Sequence, residues 1–108
     1  MEKLYKSLFN RTHRKILCVG RNYADHAKEM KVKVPTNPIF FDKPLSSIIR
    51  SGETLHLQRN HEIHHELELG ILIGMTGMNI LARDWYAYVE GYFLGIDFTD
   101  RDMQNLAK

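Results

Sequence analysis

The sequence predicts a β-rich α+β domain, and three observations carry that prediction. A chain of 108 residues, 44% hydrophobic and 26% charged, has the size and composition of one modest globular domain. Period-two apolar alternation, the mark of a half-buried strand, runs from His65 to Gly74 and resumes from Glu90 to Thr99. Helical patterns are few and short, so strands supply most of the layers.

The elements follow in chain order. Lys15 to Val19 is a short apolar strand ended by Gly20. Asn22 is placed to cap a helix from about Tyr23 to Met30, with Lys31 to Pro38 following it. Ile39-Phe40-Phe41 reads as a strand stopped by Asp42-Lys43-Pro44. Ile48-Ile49 and Leu55-His56-Leu57 flank a turn at Ser51-Gly52. His65 to Gly74 is the clearest strand, with Leu67, Leu69, Ile71 and Ile73 on a face expected to be core. Ala82 to Tyr88 reads as a short amphipathic helix pairing Trp85 with Val89, and Glu90 to Thr99 returns to strand period. Thr99 or Asp100 is placed to cap a turn after it.

Composition excludes several classes. No apolar run approaches the ~18 residues a spanning helix needs. The lone Cys18 cannot make an internal disulfide, which points to a reducing compartment. The net charge of +2 is uneven. Lys3, Lys6, Arg11, Arg14 and Lys15 stand against Glu2 alone at the N-terminus, and the remainder is mildly acidic. A nucleic-acid partner is therefore not expected. Residues 1–14 form a basic arm that reads either as an amphipathic targeting segment or as a first strand or turn packed on the body.

Acidic residues in apolar strands mark the candidate chemistry. Glu66 and Glu68 share a strand face at i, i+2, roughly 7 Å apart, with Gly70 leaving room beside them. Paired carboxylates repel unless something neutralises them, and a divalent cation does so. Asp97 interrupts the later apolar strand on a face shared with Phe93, Gly95 and Thr99. Three hard oxygen donors without sulfur suit Mg²⁺ or Mn²⁺. The alternatives are a solvated polar face for the glutamates and a strand-end turn former for Asp97. His26 and Glu29 lie at i, i+3 on the first helix, either as a surface ion pair or as a general base and its orienting carboxylate. In the segment after Asp97, Arg101 suits a bidentate carboxylate grip and Gln104 an oxyanion contact; a solvated polar loop is the alternative. His61-Glu62-Ile63-His64-His65 matches the H-E-x-x-H pattern of zinc hydrolases. That mechanism needs a helix, and the flanks here read as turn and strand.

Taken together, these stretches resemble the fumarylacetoacetate hydrolase family, in its short acylpyruvase/oxaloacetate decarboxylase branch. The resemblance rests on Cys18 to His26, Phe41-Asp42-Lys43-Pro44, His64 to Gly70, Gly91-Tyr92, Asp97-Phe98-Thr99 and Arg101 to Gln104, in that order. It covers about residues 15–105 and implies a mixed β-roll or sandwich fold, commonly dimeric. It implies metal ligation by Glu66, Glu68 and Asp97, and a water-activating His26–Glu29 dyad. Arg101 and Gln104 fall at positions that contact substrate, and Lys43 at the site mouth. Lys108 resembles a catalytic lysine of the family with its preceding loop missing. The implied activity is divalent-metal-dependent cleavage of 3-acylpyruvates, or decarboxylation of oxaloacetate through a metal-stabilised pyruvate enolate. The implied location is mitochondrial, with the cytosol as alternative. Residues 15–108 match only the N-terminal half of the family domain; its Thr-Gly-Thr-Pro loop and closing strands have no counterpart here. A competing expectation is therefore a catalytically inactive chain serving as a subunit of a larger assembly.

Overall fold

The computed structural model describes residues 15–29 and 31–107, leaving aside the side chain of His26. The basic arm, Met30, the His26 side chain and Lys108 lie outside the described residues. The chain divides into two compact units at Leu55/His56.

The first unit is an antiparallel strand pair interrupted by a helix. β1 (Ile16–Gly20) pairs with β2 (Ile39–Lys43), Ile16 opposite Lys43 and Gly20 opposite Ile39. β2 thus runs two residues past the predicted apolar stretch and stops at Pro44, which has no N–H for the ladder. Between the strands lies α1 (Ala24–Glu29). Its end is a Schellman closure: Lys31 N–H donates to the Lys28 carbonyl at 2.9 Å and Val32 N–H to that of Ala27 at 3.0 Å. Lys31 takes the left-handed conformation (φ 52°) that glycine usually fills there. Ala27 is fully buried. The predicted Ser51-Gly52 turn forms: Glu53 N–H donates to the Arg50 carbonyl at 3.0 Å, with Gly52 at φ 89°.

The second unit is built on one long antiparallel ribbon. β3 (Ile63–Ile73) pairs with β4 (Val89–Asp100) from Ile63 opposite Asp100 to Ile73 opposite Val89, with a bulge between Leu72 and Ile73. α2 (Arg101–Leu106) follows β4 without a loop. Asp100 is its N-cap, accepting from Met103 N–H at 3.0 Å, as its residue type predicts.

Two expectations are corrected here. Ala82–Tyr88 is a 3₁₀ helix rather than an α-helix, and Val89 already belongs to β4. Trp85 and Val89 therefore share no helical face. The face of Leu67, Leu69, Ile71 and Ile73, expected to be core, is exposed: Leu67 is 67% and Ile73 56% accessible. Leu94 and Ile96, on the matching face of β4, are 73% and 57% accessible. The alternation is correct, but nothing among the described residues packs on that side. Only Ala27 and Arg101 are buried among the described residues. Also among them, no helix is long and apolar enough to cross a membrane.

The opposite face is shaped by glycine. Gly70 stands opposite Phe93, whose ring lies where a Cβ at Gly70 would sit. At Gly95 an added Cβ meets only Phe93 Cε2, at an ordinary 3.8 Å. Gly70→Ala should therefore displace the ring and lower stability by roughly 1–3 kcal/mol, whereas Gly95→Ala should cost less. Urea midpoints of the two variants check this ordering; equal midpoints would contradict it.

Candidate metal and substrate face

Strand register puts the predicted carboxylates on one face of the ribbon. The even positions of β3 put His64, Glu66, Glu68 and Gly70 on one face. The odd positions of β4 put Phe93, Gly95, Asp97 and Thr99 on the same face, with Glu66 opposite Asp97 and Glu68 opposite Gly95. Glu66, Glu68 and Asp97 are all half-buried. Like charges directly across a strand pair destabilise it, so this face calls for cations.

One cation comes from the chain. Arg101, at the first position of α2, has a side chain only 9% exposed. Its Nη2 donates to Glu66 Oε1, its Nη1 to Gln104 Oε1 at 2.9 Å and its Nε to His64 Nδ1 at 3.0 Å. Its backbone N–H donates to the Glu62 carbonyl at 2.9 Å. The guanidinium thus holds a candidate metal ligand and a candidate oxyanion donor at once. Because Gln104 Oε1 accepts from Arg101, its amide N–H₂ is the end left to act as donor.

The corner between β3 and α2 carries a second constellation that sequence reasoning missed. His61 Nδ1 lies 2.6 Å from Asp100 Oδ2, and Glu62 N–H donates to Asp102 Oδ2 at 2.8 Å. Ligand atoms of His61, Asp100 and Asp102 all lie within 4.8 Å of one another, a spacing able to hold a metal ion. The signal for it is the pairing of Ile63 with Asp100, which no local pattern reveals. Each of the three already serves the corner: Asp100 caps α2, His61 bonds Asp100, and Asp102 ties down Glu62.

The other predicted residues are distributed as follows. Glu29 lies on α1 and is exposed; Lys43 ends β2 and is half-buried; both belong to the first unit. The H-E-x-x-H segment is not helical: His61 lies in a bend and His65 is a β3 residue. The shared helical face that a zinc hydrolase requires does not form.

The donor set tests the metal reading. Three carboxylates on one ribbon face are oxygen donors of the kind a hard divalent cation takes, with the His64 imidazole on the same face bound to Arg101; the group whose ligand atoms lie within 4.8 Å of one another among the described residues is His61, Asp100 and Asp102.

A β-rich fold with an acidic ribbon face closed by an Arg-x-x-Gln helix defines a class, and sequence comparison gives it a name. The chain belongs to the fumarylacetoacetate hydrolase family: the pattern described as fumarylacetoacetate (FAA) hydrolase C-terminal matches residues 15–108. It is similar to the mitochondrial oxaloacetate decarboxylase of Dictyostelium discoideum, 48% identical over 103 residues, covering 93% of this chain and 47% of that protein. A mitochondrial oxaloacetate tautomerase of Arabidopsis thaliana is 41% identical over 95 residues, covering 87% and 43%. Among solved structures, a protein of Oleispira antarctica assigned as a fumarylacetoacetate isomerase/hydrolase superposes with a TM-score of 0.81 at 40% identity, covering 91% of this chain and 44% of that one. The chain spans about half the length of the curated relatives it matches.

The Asp100 carboxyl is held below its ordinary value, first by the Met103 backbone N–H and then, against some desolvation, by the hydrogen bond and charge of His61. A lowered carboxyl contributes stability above its unfolded value of about 3.9 and loses it as pH falls through the lowered one. Asp100→Asn keeps a capping oxygen but cannot ionise. Acid titration of the urea midpoint should fall more steeply below about pH 4 in the unsubstituted protein than in Asp100→Asn; parallel curves would contradict this account.

Proposed function

We propose that this chain provides the metal face, the oxyanion donor and the His26–Glu29 dyad of a divalent-metal-dependent enzyme acting on small 2-keto acids. The reactions are C–C hydrolysis of 3-acylpyruvates and decarboxylation of oxaloacetate. The observation that carries the reading is the in-register placement of Glu66 against Asp97, with Glu68 beside them and Arg101 bound to Glu66. The names of the relatives support the substrate class.

Glu66, Glu68 and Asp97 would hold Mg²⁺ or Mn²⁺, which supplies Lewis acidity and a template for a 2-keto carboxylate. Glu29 would orient His26, which would take a proton from water as the water oxygen bonds to the distal carbonyl carbon of an acylpyruvate. Gln104 donates its amide N–H to the oxyanion that develops there. The C–C bond then breaks, a carboxylic acid leaves, and the electron pair remains as pyruvate enolate. In oxaloacetate the electron pair of the departing CO₂ forms the same enolate without water attack. Lys108 would stabilise that enolate, and Arg101 and Lys43 would contact the substrate, Lys43 at the site mouth. Tautomerisation, named for several relatives, also develops charge on the C2 oxygen of a 2-keto acid, so one site serves all three. The mitochondrial names of the relatives support a mitochondrial location.

The exposed apolar face of β3 and β4 favours a second reading, a non-catalytic chain whose ribbon is covered within a larger assembly. Turnover separates the two. The protein in its natural form should decarboxylate oxaloacetate or cleave acylpyruvates only with Mg²⁺ or Mn²⁺. Glu68→Gln and Asp97→Asn should each cost more than the roughly 10–100-fold typical of losing an outer-shell partner. Gln104→Ala should lower kcat by about 10²–10³. Metal-independent turnover, or full activity in Glu68→Gln, would sink the enzyme reading as stated.

A further inference from the structure

We propose that His64 is a positioning residue: acting through Arg101, it fixes the Gln104 amide and the Glu66 carboxylate in their working orientations. The inference rests on the reading of Gln104 and Glu66 given above and adds a residue that it does not use.

An arginine side chain has only donors. Arg101 Nε–H points at His64 Nδ1 at 3.0 Å, so Nδ1 must carry the lone pair. The ring proton then sits on Nε2, which lies 2.8 Å from Glu62 Oε1 and donates to it. The relay thus has one direction: Arg101 donates to His64 and His64 donates to Glu62. Glu62 grips the same arginine a second time, its carbonyl accepting the Arg101 backbone N–H at 2.9 Å. The start of β3 therefore holds Arg101 by both its main chain and its guanidinium.

Orientation matters because of what lies on the other side of the guanidinium. A glutamine amide has two orientations related by a half-turn, and only one presents N–H₂ outward. The bond from Arg101 Nη1 to Gln104 Oε1 at 2.9 Å selects that one. The Nη2 bond to Glu66 Oε1 holds the carboxylate by the same rigid plane. Because the guanidinium is planar, fixing Nε also fixes the directions of Nη1 and Nη2. Without His64, a nearly buried Nε–H loses its acceptor, and the plane is free to rotate towards another.

The test combines a double-mutant cycle with a spectroscopic readout. His64→Leu should lower kcat on oxaloacetate by about 10–100-fold, the usual cost of an outer-shell partner, with KM changing much less. His64→Asn, whose side-chain oxygen falls near the position of Nδ1, should recover most of the loss. On a Gln104→Leu background, His64→Leu should cost clearly less than in the unsubstituted protein, the remaining loss being the part that acts through Glu66, because residues acting as a unit are not additive. Equal losses in both backgrounds would overturn the proposal. Independently of turnover, ¹⁵N NMR of the unsubstituted protein should show His64 protonated at Nε2 and bare at Nδ1. A ring protonated at Nδ1 overturns the proposal even if the protein is active. Failure of the protein to turn over any keto acid would instead count against the proposed function and leave the NMR result to decide the role of His64.

Discussion

The bond between the Arg101 guanidinium and the Glu66 carboxylate is the interaction on which the rest of the second unit depends. Both partners are largely removed from water, with side chains 9% and 24% exposed. Removing one member of such a pair strands the other, at a cost of several kcal/mol. The exposed Lys28–Asp25 pair on α1, 78% and 91% accessible, is of the kind that contributes about 0–1 kcal/mol. Arg101 is also the first residue of α2, and Asp100 before it caps that helix while contacting His61. One short corner thus joins the start of β3, the end of β4 and the helix bearing Gln104. The direction in which β4 delivers the chain to α2 is set by the same contacts that orient Glu66.

The two faces of the ribbon have opposite character. One carries carboxylates, glycines and a histidine, with its charges partly met by Arg101. The other carries Leu67, Leu69, Ile71 and Ile73 against Tyr92, Leu94 and Ile96, all exposed among the described residues. Contiguous apolar surface of this kind normally marks a place where something else packs. The curated relatives are about twice as long as this chain. Among the described residues the ribbon therefore has one acidic face, half-buried and bound to Arg101, and one exposed apolar face.

Much of this was legible locally. Period-two alternation put Glu66 and Glu68 on one face and Asp97 on the matching face of its own strand. Turn chemistry placed Ser51-Gly52, and the capping preference of Asp100 placed the start of α2. What was not legible depends on contacts distant in sequence. Two side-chain partners of Arg101, Glu66 and His64, lie 35 and 37 residues away, and only the pairing of Ile63 with Asp100 brings them near. For the same reason the contacts of all three Arg101 side-chain nitrogens with His64, Gln104 and Glu66 could not be read from its own segment. His61 and Asp100 belonged to two unrelated motifs until the strands were aligned. The 3₁₀ form of Ala82–Tyr88 escaped detection because a seven-residue stretch satisfies an i, i+4 pattern by chance as easily as by design.

In the proposed function, oxygen ligands from Glu66, Glu68 and Asp97 hold the cation. Electron paramagnetic resonance of Mn²⁺ bound to the protein tests it most directly, because nitrogen ligands leave a ¹⁴N coupling and carboxylates do not. One bound Mn²⁺ with no nitrogen coupling is expected, lost in Asp97→Asn but not in His61→Ala. A ¹⁴N coupling that disappears in His61→Ala would contradict it, placing the cation at His61, Asp100 and Asp102.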